Sequence, residues 1–255
     1  MTIPSPPRAS RRAAPGSAVR HGVARVLSKQ GIASRAEAAR WVRAGRVAVN
    51  GVIVHDPEFP VRRGVDRIAV DGHESSTAER VVIMLNKPRG LVTTTRDERG
   101  RDTVYRCLEG AGLPWLAPVG RLDQASEGLL LFTNDPVFAA RITDPATGPT
   151  KTYHVQVDRI PDGASLVALA RGADIDGEYL AVVSVRLLRT GRRNAWLEVV
   201  LGEGRNRHLR RLLGAFGIGV LRLVRVAIGD LALGSLPKGS WRTVTDKELK
   251  RLCKL

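Results

Sequence analysis

"GRLDQASEGLLLFTND", Gly120 to Asp135, sets charge against a buried strand. Gly128 to Thr133 is apolar enough to be a strand covered on both faces. The turn before it holds Arg121, Asp123 and Glu127. One reading is purely local: Asp and Ser side chains satisfy backbone groups before the strand begins. A second takes Asp123 and Glu127 as the acid pair of a glycosidase. A very basic chain with 4% aromatic residues makes a poor sugar-polymer site. A third makes Asp123 the working carboxylate of another reaction, and the surrounding chain has to decide.

Outward from this stretch, strands mostly follow strands. Val81 to Leu85 is a short apolar run ending in the turn "NKPRG". Asp135 is placed to cap a short helix with Pro136 at its first position. "KTYHVQV" alternates, so Lys151, Tyr153 and Val155 share a face. "DGASLVALARG" reads as a helix, "EYLAVVSVRLL" and "NAWLEVVL" as strands, and "VLRLVRVAIGDL" as a further strand. "NRHLRRLLGAFG" puts Leu209, Leu212, Leu213 and Phe216 on one helix face. This order predicts an α+β domain on a mixed, mainly antiparallel sheet with flanking helices.

The N-terminal part differs. Residues 1–20 are Arg-, Ala- and Pro-rich and read as a disordered basic tail, with a transit peptide as the competing reading. Residues 21–71 read as a small domain. Ser34 with Glu37 forms a capping box, Gly45 is placed to end that helix, and Ala39 and Val42 face inward. "VAVNGVIV" alternates around Asn50-Gly51, a hairpin signal. Arg35, Arg40, Arg43 and Arg46 lie along or just beyond the helix. A solvated charged face is the plain reading, and contact with RNA phosphates the functional one. Residues 72–80 are polar and Ser-rich and read as a linker, leaving 81–255 as the larger domain.

The 255 residues carry a net charge of +16, mostly through arginine. That surplus points to a polyanion. With few aromatics, contact through phosphates on folded RNA is favoured over a broad stacking platform. No stretch has the length of a membrane helix, and no amphipathic helix suits a membrane surface. Cys107 and Cys253 show no metal spacing and no disulfide framework, which fits a reducing, cytoplasmic setting. Zinc, nucleotide-loop and dinucleotide motifs are absent, and the five histidines do not cluster in sequence. Arg207, Arg210 and Arg211 crowd a helix start, where the dipole disfavours cations. Such a cluster implies an anion there: a phosphate, or a carboxylate from elsewhere in the fold.

Taken together, "GRLDQASEGLLLFTND", "KTYHVQV" and "EGRNRHLRRLL" resemble the pseudouridine synthases of the RsuA/RluB/RluE/RluF type. "NKPRGLVTT" and "VRVAIGDLALGSLPKGSWRTVTDKEL" support the match in the same order. Ala33 to Gly51 resembles the RNA-binding module named after ribosomal protein S-four. The resemblance implies catalytic roles for Asp123, Tyr153 and Arg210. Asp123 would be the reacting carboxylate, Tyr153 would stack on the target base, and Arg210 would pair with Asp123. Arg121, Arg205, Arg207 and Leu209 would contact the substrate nucleotide. His208 stands where relatives commonly have Gln, so no role is carried over to it. The implied activity needs no cofactor and no metal. The implied partner is ribosomal RNA, large-subunit in preference to small-subunit, acted on by a monomer. A non-catalytic RNA-binding assembly factor is the alternative, and the joint presence of Asp123, Tyr153 and Arg210 argues against it.

Overall fold

The computed structural model describes residues 20–76, 78–95 and 97–252. Residues 1–19 of the expected basic tail and Cys253 lie outside the described residues, and Arg20 begins the first strand. The chain divides into two compact units, the first ending at Ser76 and the second running on from there, with Lys29–Ser34 grouped with the second.

The first unit holds β1 (Arg20–Gly22), α1 (Val23–Lys29), α2 (Arg35–Arg43), β2 (Val47–Val49), β3 (Val52–Ile53), β4 (Pro60–Arg62), β5 (Ile68–Val70) and β6 (His73–Glu74). Four of these strands form a sheet in the order β3-β2-β5-β6, and β1 pairs with β4. Helix α2 starts directly after Ser34. Gly45, at φ +71°, lies just beyond its end and donates to the Val42 carbonyl at 2.9 Å. Ala38 and Val42 are its buried residues. The expected Ala39 is only half-buried, because at about 100° per residue it falls at the edge of the face centred on Ala38 and Val42. Asn50 (φ 51°) and Gly51 (φ 84°) make the two-residue turn between β2 and β3, as the mirror-image hairpin turn requires. The Asn50 side chain also accepts from the Arg67 amide at 2.9 Å.

His73–Glu74, read as linker from sequence, pairs with Ala69 and Val70. Asp71 and Gly72, both at positive φ, turn the chain back on itself. Backbone pairing of this kind needs no apolar side chain, so a hydrophobic pattern does not reveal it.

The second unit is built on β7 (Val82–Lys87), β8 (Ala117–Val119), β9 (Glu127–Thr133), α3 (Pro136–Thr143), β10 (Lys151–Val157), α4 (Gly163–Arg171), β11 (Ala173–Ile175), β12 (Glu178–Leu180), β13 (Ser184–Thr190), β14 (Ala195–Leu201), α5 (His208–Ala215), β15 (Val220–Ile228), β16 (Leu231–Ala232), β17 (Trp241–Thr243) and α6 (Asp246–Leu252). Its main sheet runs β13-β14-β10-β15-β9-β7-β17, with β16 beside β15 and β8 beside β9. Among these strands only the β9–β15 pairing is parallel. The fold is α+β with a mixed, mainly antiparallel sheet. Every residue of β9 is buried, as its unbroken apolar run requires of a central strand. Asp135 caps α3, accepting from the amides of Val137 and Phe138 at 2.9 and 3.1 Å, with Pro136 at the first helical position. The stretch "EYLAVVSVRLL" is not one strand. Its start pairs with β11 as a separate hairpin, and its end forms the sheet edge β13. The apolar content is continuous across the break, so it does not mark where the chain leaves one sheet for another.

One sheet face carries a large core that includes Leu130, Phe132, Tyr153, Leu197, Leu209 and Leu223. The opposite face has a smaller core in which α3 and α6 cover β7 and β9 through Phe138, Ile142, Leu249 and Leu252.

Gly128 makes the parallel pairing feasible. It sits at φ +101°, and a Cβ there would lie 2.2 Å from the Arg225 carbonyl oxygen. Backbone on both sides leaves nothing to yield. Gly128→Ala should therefore destabilise the second unit by about 3 kcal/mol or more, the scale of strained or overpacked core changes. Urea unfolding monitored by tryptophan fluorescence tests this, and an unchanged midpoint would refute it.

Candidate active site

The turn from Leu122 to Ser126 is held by its carbonyls. Thr93 Oγ1 donates to Leu122 O at 2.7 Å. Lys87 Nζ donates to Asp123 O at 3.2 Å and to Ser126 O at 2.8 Å. The Gly90 amide donates to Gln124 O at 2.8 Å. Arg210 donates to Ala125 O at 3.3 Å. Five successive carbonyls are thus engaged, two of them by one buried ammonium. The backbone under Asp123 is fixed, and its carboxylate is left free: among the described residues it has no ion pair.

Lys87 is fully buried at the end of β7. Burial lowers its pKa to about 8, with the negative charge of Asp123 acting the other way. Arg210 is half-buried on α5 and also donates to Val220 O at 3.3 Å. Burial lowers its pKa and Arg207 adds to that, while Asp123 opposes both. Arg210 and Asp123 therefore feel each other's charge. The direct pairing expected from sequence is not formed; the guanidinium holds the main chain of the Asp123 turn instead.

A cavity of about 190 Å³ opens over Asp123. Its lining includes Arg121, Asp123, Tyr153, Arg205, Arg207, Leu209 and Arg210, so every catalytic and substrate-contacting residue named from sequence meets there. Tyr153 is buried on β10, on the core face of the sheet. The helix start that looked electrostatically wrong divides in two. Arg205 is paired with Glu178 and Glu203, and Arg211 with Glu178. Arg207 and Arg210 have no carboxylate partner among the described residues. Arg207 also sits at φ 48°, ψ 30° with no side-chain cap on the helix, a left-handed backbone that is strained for arginine. Of the three arginines at the helix start, a carboxylate of the fold answers Arg211, while Arg207 and Arg210 line the cavity. His208 is buried in the cavity lining, and burial pushes its pKa down.

Glu127 is not an acid partner for Asp123. It is buried and held by Arg222, at 3.1 Å to each oxygen, and by Lys238. Burial raises its pKa, but the Arg222 and Lys238 hydrogen bonds outweigh this and keep it below the usual range. It is a fixed anion in a structural ion cluster. Among the described residues, no group of three His, Cys, Asp or Glu side chains could hold a metal ion, and no helix is long and apolar enough to cross a membrane.

Residues 81–215 match the RNA pseudouridylate synthase family, and residues 23–66 match the S4 domain, the S-four module named above. The chain belongs to the RNA pseudouridylate synthase family. It is 35% identical over 231 residues to ribosomal large subunit pseudouridine synthase B of Bacillus subtilis, covering 89% of this chain and 93% of that protein. The protein of the same name from Shigella flexneri is 39% identical over 225 residues, covering 85% and 77%. A crystal structure of a pseudouridylate synthase superposes with a TM-score of 0.63 at 29% identity, covering 92% of this chain and 99% of the other.

In the S4 domain the four arginines named from sequence are exposed. Three hold nearby acids: Arg35 with Glu58, Arg40 with Glu37, and Arg46 with Asp71. Such surface pairs are weak and can be exchanged for phosphates. Arg46 also lies over the Trp41 ring, 5.2 Å from its centroid.

Sequence reasoning passed over Lys87, which fell within a stretch read as turn. The one available signal was a lysine closing an otherwise apolar run. Its depressed pKa has a measurable consequence. The unfolded chain keeps this proton to about 10.5 and the folded one only to about 8. Between those values the unfolded state binds more protons, so the Lys87 contribution to stability rises with pH. The stability difference between wild type and Lys87→Met should shift in favour of wild type from pH 8 to pH 10, by denaturant titration. A pH-independent difference would contradict the assignment.

Proposed function

We propose that this pseudouridine synthase isomerises a uridine of ribosomal RNA, large-subunit RNA in preference to small-subunit, with Asp123 as the reacting carboxylate. The convergence of Asp123, Tyr153, Arg210 and Arg207 on one small cavity carries the reading. At about 190 Å³ the cavity is smaller than the roughly 300–1,000 Å³ of drug-sized ligand sites, which suits one extruded nucleoside and not a stacked helix. The names of the two relatives from Bacillus subtilis and Shigella flexneri support large-subunit RNA.

The reaction breaks the bond from uracil N1 to the ribose and joins C5 of the same base to the same sugar carbon. The proton on C5 is lost and N1 gains one, so there is no redox change and no net hydrolysis. The demands are to hold a cleaved intermediate, exclude water and let the base turn. Asp123 serves as nucleophile or base toward the ribose, and both roles need the ionised form. Lys87 and Arg210 anchor the turn that carries it. Tyr153 presents a ring for the base. Arg207 and Arg121 receive phosphates on either side of the flipped nucleotide. Extruding the base costs a few kcal/mol, least in a loop, and phosphate contacts offset it. In the S4 domain, Arg35, Arg40, Arg43 and Arg46 dock structured RNA. The protein works as a cytoplasmic monomer and requires no cofactor.

Two outcomes test this. Ribosomal RNA from a strain lacking the protein, tritiated at uridine C5, should release tritium to water with the wild type. Asp123→Ala should release none while binding RNA within a few-fold of wild type. Release by the variant would remove Asp123 from the chemistry. Carbodiimide-blocked primer extension then locates the new pseudouridine and so names the subunit. Separately, Arg40→Gln with Arg43→Gln should flatten the dependence of log affinity on log salt by about two, one for each arginine withdrawn from a phosphate. An unchanged slope would mean that this helix does not meet RNA.

A further inference from the structure

One face of the sheet in the second unit packs on the large core, and the smaller core on the other face takes in β7, β8, β9, β16 and the end of β15. Across β13, β14, β10 and the first part of β15 that second face carries half-buried and exposed side chains, and it lies on the side away from Tyr153. An uncovered antiparallel face is common and usually carries mixed charge. This one is ordered differently. The registers align Arg189, Trp196, Gln156 and Arg222 in a row across all four strands. Arg189 and Arg222 lie over the Trp196 ring, 5.1 and 5.5 Å from its centroid. The next row holds Arg186, Glu198 and His154.

The carboxylates on this face are already taken. Glu198 accepts from Arg186 at 2.6 Å and faces His154 Nε2 at 3.4 Å. Glu127 is shared by Arg222 and Lys238. Arg189 has no carboxylate partner among the described residues. The β13–β14 turn then adds Arg192 and Arg193, both exposed. The hairpin thus carries an arginine about every third residue. Cations exceed anions here, and two guanidiniums are stiffened against an indole. Two guanidiniums already lie over the ring, so it is a poor platform for a nucleobase. The donors of the guanidiniums point to phosphate oxygens.

We infer that this open face is a second RNA surface, which takes the phosphodiester backbone of a segment remote from the target uridine. The inference rests on the RNA-modifying reading above. Charge complementarity selects the occupant: a polyanion meets the guanidinium that has no carboxylate among the described residues and the arginines of the turn, whereas an apolar protein surface would bury Arg189 without a partner. The cavity handles one nucleotide, and this face would hold a long RNA in place around the edge strand β13.

The test uses full-length protein with Arg186→Gln and Arg189→Gln together, and the matching pair of lysine substitutions. The probes are a full-length large-subunit ribosomal RNA transcript and a short hairpin around the mapped uridine. The glutamine pair should lose about tenfold in affinity for the long transcript, with a salt slope shallower by about two. Affinity for the hairpin and turnover at saturating RNA should stay at wild-type values. The lysine pair should keep the slope, which separates charge from packing. Equal affinity and slope on the long transcript would overturn the inference. So would weaker retention on ribosomal particles with unchanged affinity for free RNA, since that result assigns the face to a protein. Absence of tritium release by the wild type would defeat the catalytic reading alone, because the slope comparison needs no turnover.

Discussion

The second unit is organised around a buried ammonium. Lys87 Nζ lies beneath the Asp123 turn and donates to the carbonyls of Pro88, Asp123 and Ser126. An isolated buried charge is costly, and here three carbonyl dipoles and nearby Asp123 offset that cost. Those carbonyls belong to the turn that must hold a carboxylate still and to the loop beside it. Desolvation of Lys87 and rigidity of the turn are therefore one requirement. If the turn moves, the ammonium loses its acceptors; if the ammonium is removed, the Pro88 and Ser126 carbonyls lose that donor and Asp123 O is left to the Ser126 amide. Arg210 repeats the arrangement from the opposite side through Ala125 O. Two cations grip the main chain, and the side chain between them remains available.

Two carboxylates four residues apart show how environment divides roles. Asp123 lines the cavity without an ion pair among the described residues, on a turn whose carbonyls are fixed. Glu127 begins β9, buried against Arg222 and Lys238. Spacing alone admits both as an acid pair, and only the third dimension separates them. The cluster around Glu127 also links β9 to β15, beside the parallel pairing that Gly128 permits. A charge cluster and a glycine thus act on adjacent residues to seat the strand that follows the reactive turn.

Much of this was legible because the determinants were local. The β2–β3 turn follows from Asn50-Gly51, the α3 start from Asp135-Pro136, and the central strand from an unbroken apolar run. The site was legible by resemblance and by one physical anomaly, arginines at a helix start. What stayed hidden depends on contacts between distant residues. Lys87 meets carbonyls about forty positions away, and in sequence only the apolar run that it closes distinguishes it from a surface lysine. The short strand β6 is defined by backbone pairing and not by its side chains. The division of "EYLAVVSVRLL" turns on which neighbour each half meets. Arg210 was assigned to the right place with the wrong partner, because a motif fixes proximity and leaves the acceptor undecided.

The excess of positive charge also separates by environment. Lys87 and Arg210 are buried or half-buried and bind carbonyls, so they serve the turn. Arg205 and Arg211 are bound to Glu178, so they serve the fold. Arg207 lines the cavity with no carboxylate partner among the described residues and with a strained backbone. An arginine held in that conformation, beside another whose charge its own opposes, would be stabilised by an anion arriving between them. In the proposed reaction the phosphate of an extruded nucleotide is such an anion. Its binding would relieve the repulsion between the two guanidiniums, and would tie recognition of the RNA backbone to placement of the base over Asp123.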